Sequence, residues 1–485
     1  MKKISVLLML LCGSMMFSQE ILKDTISVYK KRVLETTEVD FLMSYYTQDG
    51  NNASVTGGIG NERLTDLTPT FVVAIPLNAD DVLTVDAGIS AYTSASSSNL
   101  DPFDASGASG GYDDDDDGGS GNASGTKGSP WVESSGASAG DVWGGINASY
   151  SHSSDDRNSI WSGNINFAAE YDYVSVGFGG SYSKLFNQKN TEIGIKAQVY
   201  LDTWNPKYPT ELDSYNEASQ NLNNGFFANI DILDQSGNII DKNGATVWSP
   251  FNTTLIQDRA RNTYSVSLSF SQIINQRAQF SLFADVVQQQ GWLANPMQRV
   301  YFADRANYYV GNAANIPNYS SPENTDVFHL ADDIERLPDT RFKLPFGARF
   351  NYYVNENISL RTYYRYYFDT WGINSHTANI EVPIKLGLGK FTLYPNYRFY
   401  NQTSADYFGE YETHVSTSEF YTSDFDLSKF NSHQYGLGLK YTDVFAKFKV
   451  FNIGLKSFDI RYSYYDRSTG LTANIISTSF KFVLD

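Results

Sequence analysis

Ile358-Ser359-Leu360-Arg361-Thr362-Tyr363-Tyr364-Arg365-Tyr366-Tyr367-Phe368 is the stretch whose reading decides the fold. Its even positions, Ile358, Leu360, Thr362, Tyr364, Tyr366 and Phe368, are apolar or aromatic apart from one threonine. Its odd positions, Ser359, Arg361, Tyr363, Arg365 and Tyr367, followed by Asp369, carry the charges. Side chains alternate faces along a strand and sweep round a helix, so a period of two predicts a strand with one apolar and one polar face. The run also has the roughly 9–11 residues that a tilted strand needs to cross a bilayer.

The same alternation recurs outward from this segment. It appears in Phe342–Tyr352, Ala378–Leu386, Phe391–Phe399, Tyr264–Phe270, Ile193–Leu201 and Phe458–Tyr464. At the C-terminus Ile476, Thr478, Phe480, Phe482 and Leu484 share a face, with Asp485 after them. About sixteen such segments are predicted, starting near residues 38, 67, 82, 141, 158, 172, 190, 261, 277, 341, 357, 375, 389, 431, 455 and 470. With the first strand running outward, the even-numbered gaps hold tight-turn residues such as Pro76-Leu77-Asn78, Asn187-Gln188-Lys189 and Asn355-Glu356-Asn357. The turn Asp443–Asn452 is longer. Four long connections, 96–140, 205–259, 292–340 and 404–430, all fall in odd-numbered gaps and therefore on the extracellular side. The predicted fold is an all-β transmembrane antiparallel up-and-down barrel of about 16 strands. A water-soluble β-sandwich would not need an apolar outer face on every strand.

Composition and the N-terminus agree with an exported barrel. The chain has 34 Tyr, 31 Phe and 37 Gly but only five His, an aromatic- and glycine-rich balance suited to girdled membrane strands. Lys2 and Lys3 precede the apolar run Ile4–Leu11, which is too short to span a bilayer and reads as a Sec signal peptide over residues 1–18. Cys12 is the sole cysteine; the bulky Leu10 and Leu11 before it argue against a lipidation site. Residues 19–37 are expected to be a short periplasmic segment and 38–485 the outer-membrane barrel. A stretch as short as 20–37 holds no plug domain of the kind found in TonB-dependent receptors.

The net charge of −18 is concentrated in the long connections, where acids exceed bases by 7 in 96–140, by 4 in 205–259, by 4 in 292–340 and by 5 in 404–430. The expected role of this acidity is hydration of an outer surface. Asp113, Asp115 and Asp117 followed by Gly118 match the first half of a calcium loop, but Ser124 stands where a bidentate Glu belongs, and the flanks are Gly/Ser linker. Calcium in this loop is thus a partial match; no other cofactor is expected. On the inward face of the later strands lie Arg341, Lys343, Arg349, Arg361, Arg365, Lys385 and Arg398, with the acids Asp369 and Glu381. Such a basic wall would line an aqueous channel or, paired with acids on other strands or on an inward-folded loop, fill a closed lumen.

Tyr363-Tyr364-Arg365-Tyr366-Tyr367-Phe368-Asp369-Thr370-Trp371-Gly372-Ile373-Asn374-Ser375-His376-Thr377 resembles the core of a family of Gram-negative, Bacteroidota-type outer-membrane β-barrels known only as a domain of unknown function. Asp49-Gly50 with Val55-Thr56-Gly57-Gly58, Tyr92 to Ser98, Leu337 to Arg341 and Asp406-Tyr407-Phe408 are similar to it as well. The resemblance implies a barrel and no activity. It also implies a periplasmic redox partner, because members of that family are often encoded near periplasmic thioredoxin-like proteins and flavin-attaching enzymes.

No enzyme is expected. His152, His329, His376, His414 and His433 show no metal-ligand spacing. Asp369, Trp371 and His376 fall at one outer hairpin, where His376 reads as a turn residue. The expected partners are outer-membrane lipid, lipopolysaccharide and the barrel-assembly machinery, with no nucleic acid. Two functional classes follow: a channel for small polar or anionic solutes, or a closed scaffold that presents loops or anchors a redox partner.

Overall fold

The computed structural model describes residues 32–94, 139–170, 173–205, 208–251, 258–319, 327–387, 389–443, 445–450 and 453–484. The signal segment and the acidic run Asp113–Asp117 lie outside the described residues.

Sixteen antiparallel strands close into a barrel. They are β1 (Thr37–Asp49), β2 (Leu64–Pro76), β3 (Asp81–Ser94), β4 (Ala139–Ser153), β5 (Ser159–Ala169), β6 (Tyr173–Phe186), β7 (Thr191–Trp204) and β8 (Arg259–Asn275). There follow β9 (Ala278–Gly291), β10 (Thr340–Tyr353), β11 (Ser359–Asp369), β12 (Asn374–Glu381), β13 (Phe391–Gln402), β14 (Phe430–Thr442), β15 (Ile453–Arg467) and β16 (Thr472–Leu484). Each strand pairs with its neighbours in sequence, and β1 pairs with β16 from Thr37↔Leu484 to Asp49↔Thr472. Closure leaves no unpaired edge, which is what lets strands cross a bilayer. β12 breaks at Val382-Pro383, where proline lacks the N–H that pairing requires, and resumes at Ile384–Leu386.

Alternation decides which face meets lipid. On β7, Ile193, Ile195 and Leu201 are 51%, 47% and 43% exposed, whereas Gln198 and Asp202 on the other face are 5% and 2% exposed. Phe71 and Phe480 flank Phe41 on the outside of the closing seam, with ring centroids 4.8 and 6.3 Å away. Exposed apolar side chains on nearly every strand form the outer band, as expected for a surface solvated by hydrocarbon.

The tight turns after β2, β4, β6, β8 and β10 lie at one end. Asn187, Gln188 and Lys189 take left-handed φ values of 51°, 59° and 69° in succession. Arg157 ties two such turns together: it donates to the Ala79 carbonyl at 2.8 Å and pairs with Asp80.

At the opposite end the long connections fold into a cap. The segment 208–251 begins with helix α1 (Thr210–Glu217) and contributes Tyr215, Leu222, Phe227, Ile232 and Trp248 to a core completed by Val310, Phe328 and Leu330 from the β9–β10 connection. A second core joins Leu212 to Tyr301, Ala331 and Ile334, with Tyr411 packed against it. The β1–β2 connection, 50–63, enters through Ala53 and Val55 against Met297. Burying each large side chain contributes about 1.5–3 kcal/mol, so the cap is held by its own apolar interior. This corrects the expectation that loop acidity serves surface hydration throughout: Glu211, Asp332, Asp333 and Glu335 are at most 3% exposed. Segment 50–63 is also a folded part of the cap, a role its sequence did not suggest.

Candidate functional site

The cap seats on inward-facing residues at the outer ends of the strands. Gln48 on β1 donates to the Glu62 carbonyl at 2.7 Å. Gln402 on β13 donates to the carbonyls of Asp426 and Ser428 at 2.8 and 2.6 Å. Arg467 on β15 donates to the Asp426 carboxylate at 2.5 Å, and its other nitrogen stands 4.0 Å from Glu62. Consequently Gln48, Thr377, Gln402, Ser432, Arg467 and Ala473 are buried, although they line a lumen. Farther from the cap the inward residues are open: Arg349, Arg361 and Arg398 are all exposed.

Carboxylates trapped under the cap are perturbed by that burial. Desolvation lifts Glu335 to about 8, with Asp424 beside it adding repulsion. Glu62 is raised to about 7 by burial, against the pull of Arg467. Asp424 is also raised to about 7, by burial and the charge of Asp426. His329 lies between Tyr301 and Tyr309 at 4.3 and 4.6 Å, and burial drops it to about 3.

The basic residues singled out in the sequence separate into distinct environments. Arg341 on β10 donates through Nε to Asp369 at 2.8 Å and lies 4.1 Å over the Trp371 ring. Asp369 also accepts from Tyr367 Oη and from the Trp371 and Ile373 amides, so it organises the short β11–β12 turn. Lys343 stands beside this pair, opposite Asp369 in register. Gly372 completes the turn at φ +90°, and an added Cβ there would clash with the Asp406 carboxylate.

Nearer the turn end, Arg361 donates to Glu381 at 2.9 Å. Arg461 on β15 donates to the other oxygen of Glu381 at 3.0 Å and to Asp459 at 2.9 Å. Two bases thus face two acids, and this part of the wall is neutral. Sequence reasoning missed Asp459 and Arg461, yet the alternation of Phe458, Ile460, Tyr462 and Tyr464 already put them on the inward face. Lys385, beyond the break in β12, is exposed and opposite Thr392.

Arg349, Arg365 and Arg398 differ. Among the described residues none of the three has a carboxylate within ion-pair distance. Arg349 lies over the stacked rings of Phe283 and Tyr363, 5.4 and 5.6 Å from their centres. Arg398 is close enough to Arg365 to feel its charge, with Tyr363, Tyr400 and Tyr465 near it. The Nε of Arg365 is buried without an acceptor.

His376 is not a turn residue. It sits on β12 among lipid-facing positions, its Nδ1 2.7 Å from Tyr364 Oη, and does not meet Asp369. The described residues contain no group of three or more His, Cys, Asp or Glu placed to hold a metal ion.

A closed, capped, sixteen-strand barrel with an apolar exterior is of the outer-membrane type. Residues 15–475 match the family described as "Protein of unknown function (DUF3570)". The chain belongs to it. No curated protein matches this DUF3570 chain. Solved structures similar to it include a bacterial polysaccharide outer membrane secretin, at 9% identity and TM-score 0.40, covering 93% of this chain and 99% of that one. A FadL homologue from Pseudomonas aeruginosa is similar at 9% identity and TM-score 0.35, covering 93% and 91%. OccAB3 of Acinetobacter baumannii is similar at 8% identity and TM-score 0.32, covering 92% and 99%. Likeness at these levels bears on neither solute nor mechanism.

Proposed function

We propose that this DUF3570 barrel is an outer-membrane channel for small anionic solutes, with the cap governing its outer mouth. The observation that carries the reading is the set Arg349, Arg365 and Arg398, which among the described residues face the lumen without carboxylate partners while their neighbours are paired. Unpaired charge is tolerated on a wall only where water keeps the local dielectric high. A hydrated wall of net positive charge attracts anions and repels cations. Export through the Sec pathway, insertion by the barrel-assembly machinery and a surround of lipid and lipopolysaccharide go with this reading.

The closed scaffold is a second reading, favoured by the packing of the cap. Arg299 and Glu211 pair inside it with both side chains 0% exposed, an arrangement suited to a lasting seal. Conductance of the purified protein in a planar bilayer separates the two. Discrete conductance with reversal potentials on the anion side supports the channel. A correctly folded barrel that never conducts, at any voltage and after proteolytic removal of the cap, leaves the scaffold.

A further inference from the structure

The inward faces of β11, β12 and β13 bring Arg365, Thr377 and Arg398 into one patch. Arg365 is opposite Thr377 in the β11–β12 register, and Arg398 is opposite Asn379, two residues along β12 from Thr377. Among the described residues two donors there lack acceptors: Nε of Arg365 and Oγ1 of Thr377 are both buried without a hydrogen-bond partner. Thr377 is only 2% exposed. The neighbouring carboxylates are already engaged, Glu381 by Arg361 and Arg461, Asp426 by Arg467, and Asp369 by Arg341. Buried donors in native proteins nearly always find an acceptor. Two guanidinium groups that repel each other beside two unfilled donors form an arrangement that an anion would complete.

We propose that Arg365, Thr377 and Arg398 form a binding site for an oxyanion, a carboxylate or a phosphate group, on the lumen wall. The guanidinium planes supply paired N–H donors matched to two oxygens of such a group. The Thr377 hydroxyl supplies a further, uncharged donor. Tyr363, with Phe283 stacked on it at 5.5 Å, offers an aromatic surface at the edge of the patch for the rest of the solute. The site deepens the channel reading, on which it rests for its role in transport, but binding is measurable whether or not the barrel conducts.

The test is calorimetric titration of inorganic phosphate and, separately, succinate into the full-length protein in detergent at low chloride. One or both should bind the wild type with a defined stoichiometry, and the stronger of the two identifies the class. Arg365→Gln and Arg398→Gln should each weaken binding at least tenfold. Thr377→Val, which changes no charge, should weaken it several-fold. Lys196→Gln removes one positive charge elsewhere on the inward wall and should leave binding within twofold. Retained heat-modifiable migration certifies each variant as folded, and Thr377→Val keeps the test alive if an arginine variant fails to fold. No binding of either anion overturns the site, and so does equal weakening by Lys196→Gln, which would mean diffuse attraction. Specific binding without conductance would instead remove the channel and leave the site.

Discussion

Arg299 donates through Nε and Nη2 to the two carboxylate oxygens of Glu211, at 2.6 and 3.0 Å, across 88 residues of sequence. A third nitrogen of Arg299 donates to the Val55 carbonyl at 2.6 Å, so one side chain joins three outer connections. Removing one partner of a buried pair strands the other charge, at a cost of about 3–5 kcal/mol. Glu211→Ala should therefore open the cap while the barrel stays folded. Limited proteolysis of the variant should cut within 208–251 much faster than in wild type, with heat-modifiable migration unchanged. Equal cleavage rates would show that the pair does not hold the cap.

Stability of the cap should fall as the solution turns alkaline. Glu335, Glu62 and Asp424 bind protons more tightly in the folded cap than in an unfolded chain, at about 8, 7 and 7. Their contribution is complete below the ordinary carboxylate range of about 4 and is lost as pH rises through 7 to 8. His329 has the opposite sense: held near 3, it favours the folded cap above about 6.5 and works against it as pH falls. The cap should be firmest in mildly acidic solution. Protease accessibility at about pH 9 should exceed that at about pH 6, and Glu335→Gln should flatten the difference. A cap equally protected at both values would contradict the assignment.

The two faces of β6 should respond oppositely to charge. Phe178 points outward and is 49% exposed, and Ser181 points inward, bonded to Ser162 at 2.7 Å. Phe178→Arg should destabilise the barrel in liposomes by roughly 2–4 kcal/mol, as charge at the bilayer midplane does. Ser181→Arg should cost much less, because the lumen is wet. Urea unfolding followed by tryptophan fluorescence measures both, and equal losses would reverse the inside–outside assignment of that strand.

Selectivity should depend on the unpaired arginines more than on the paired ones. Arg361 is balanced by Glu381, so replacing both, Arg361→Gln with Glu381→Gln, should move the reversal potential in a salt gradient only slightly. Arg349 has no offsetting acid among the described residues, so Arg349→Gln should shift the potential clearly toward cation passage. The opposite ranking, or no shift in either, would separate conduction from this wall.

The strands were legible because their period is local. The alternation from Ile358 to Phe368 foretold β11 to within one residue, and the turn residues sorted the connections onto the correct ends. The cap was not legible. Tyr215, Trp248 and Phe328 follow no regular spacing, and each finds its partners in a different connection. Glu211 and Glu335 read as hydrated loop acids because nothing near them in sequence announces Arg299 or Asn295, the groups that receive them. The lumen lay between these cases: Arg349, Arg361 and Arg398 were placed by alternation, whereas which of them is neutralised depended on Glu381 reaching both Arg361 and Arg461, 80 residues away.

The seat of the cap also sets an order of assembly. Gln48 on the first strand holds the Glu62 carbonyl, and Arg467 on the fifteenth holds Asp426 and approaches Glu62. The Gln48–Glu62 and Arg467–Asp426 contacts each form between neighbouring strands, but Glu62 and Arg467 come within 4.0 Å only once β1 has paired with β16. Until then the segments 50–63 and 403–429 have no common floor to rest on. The join between these two segments is therefore expected to form after closure, a mark at the capped end that the ring beneath it is complete.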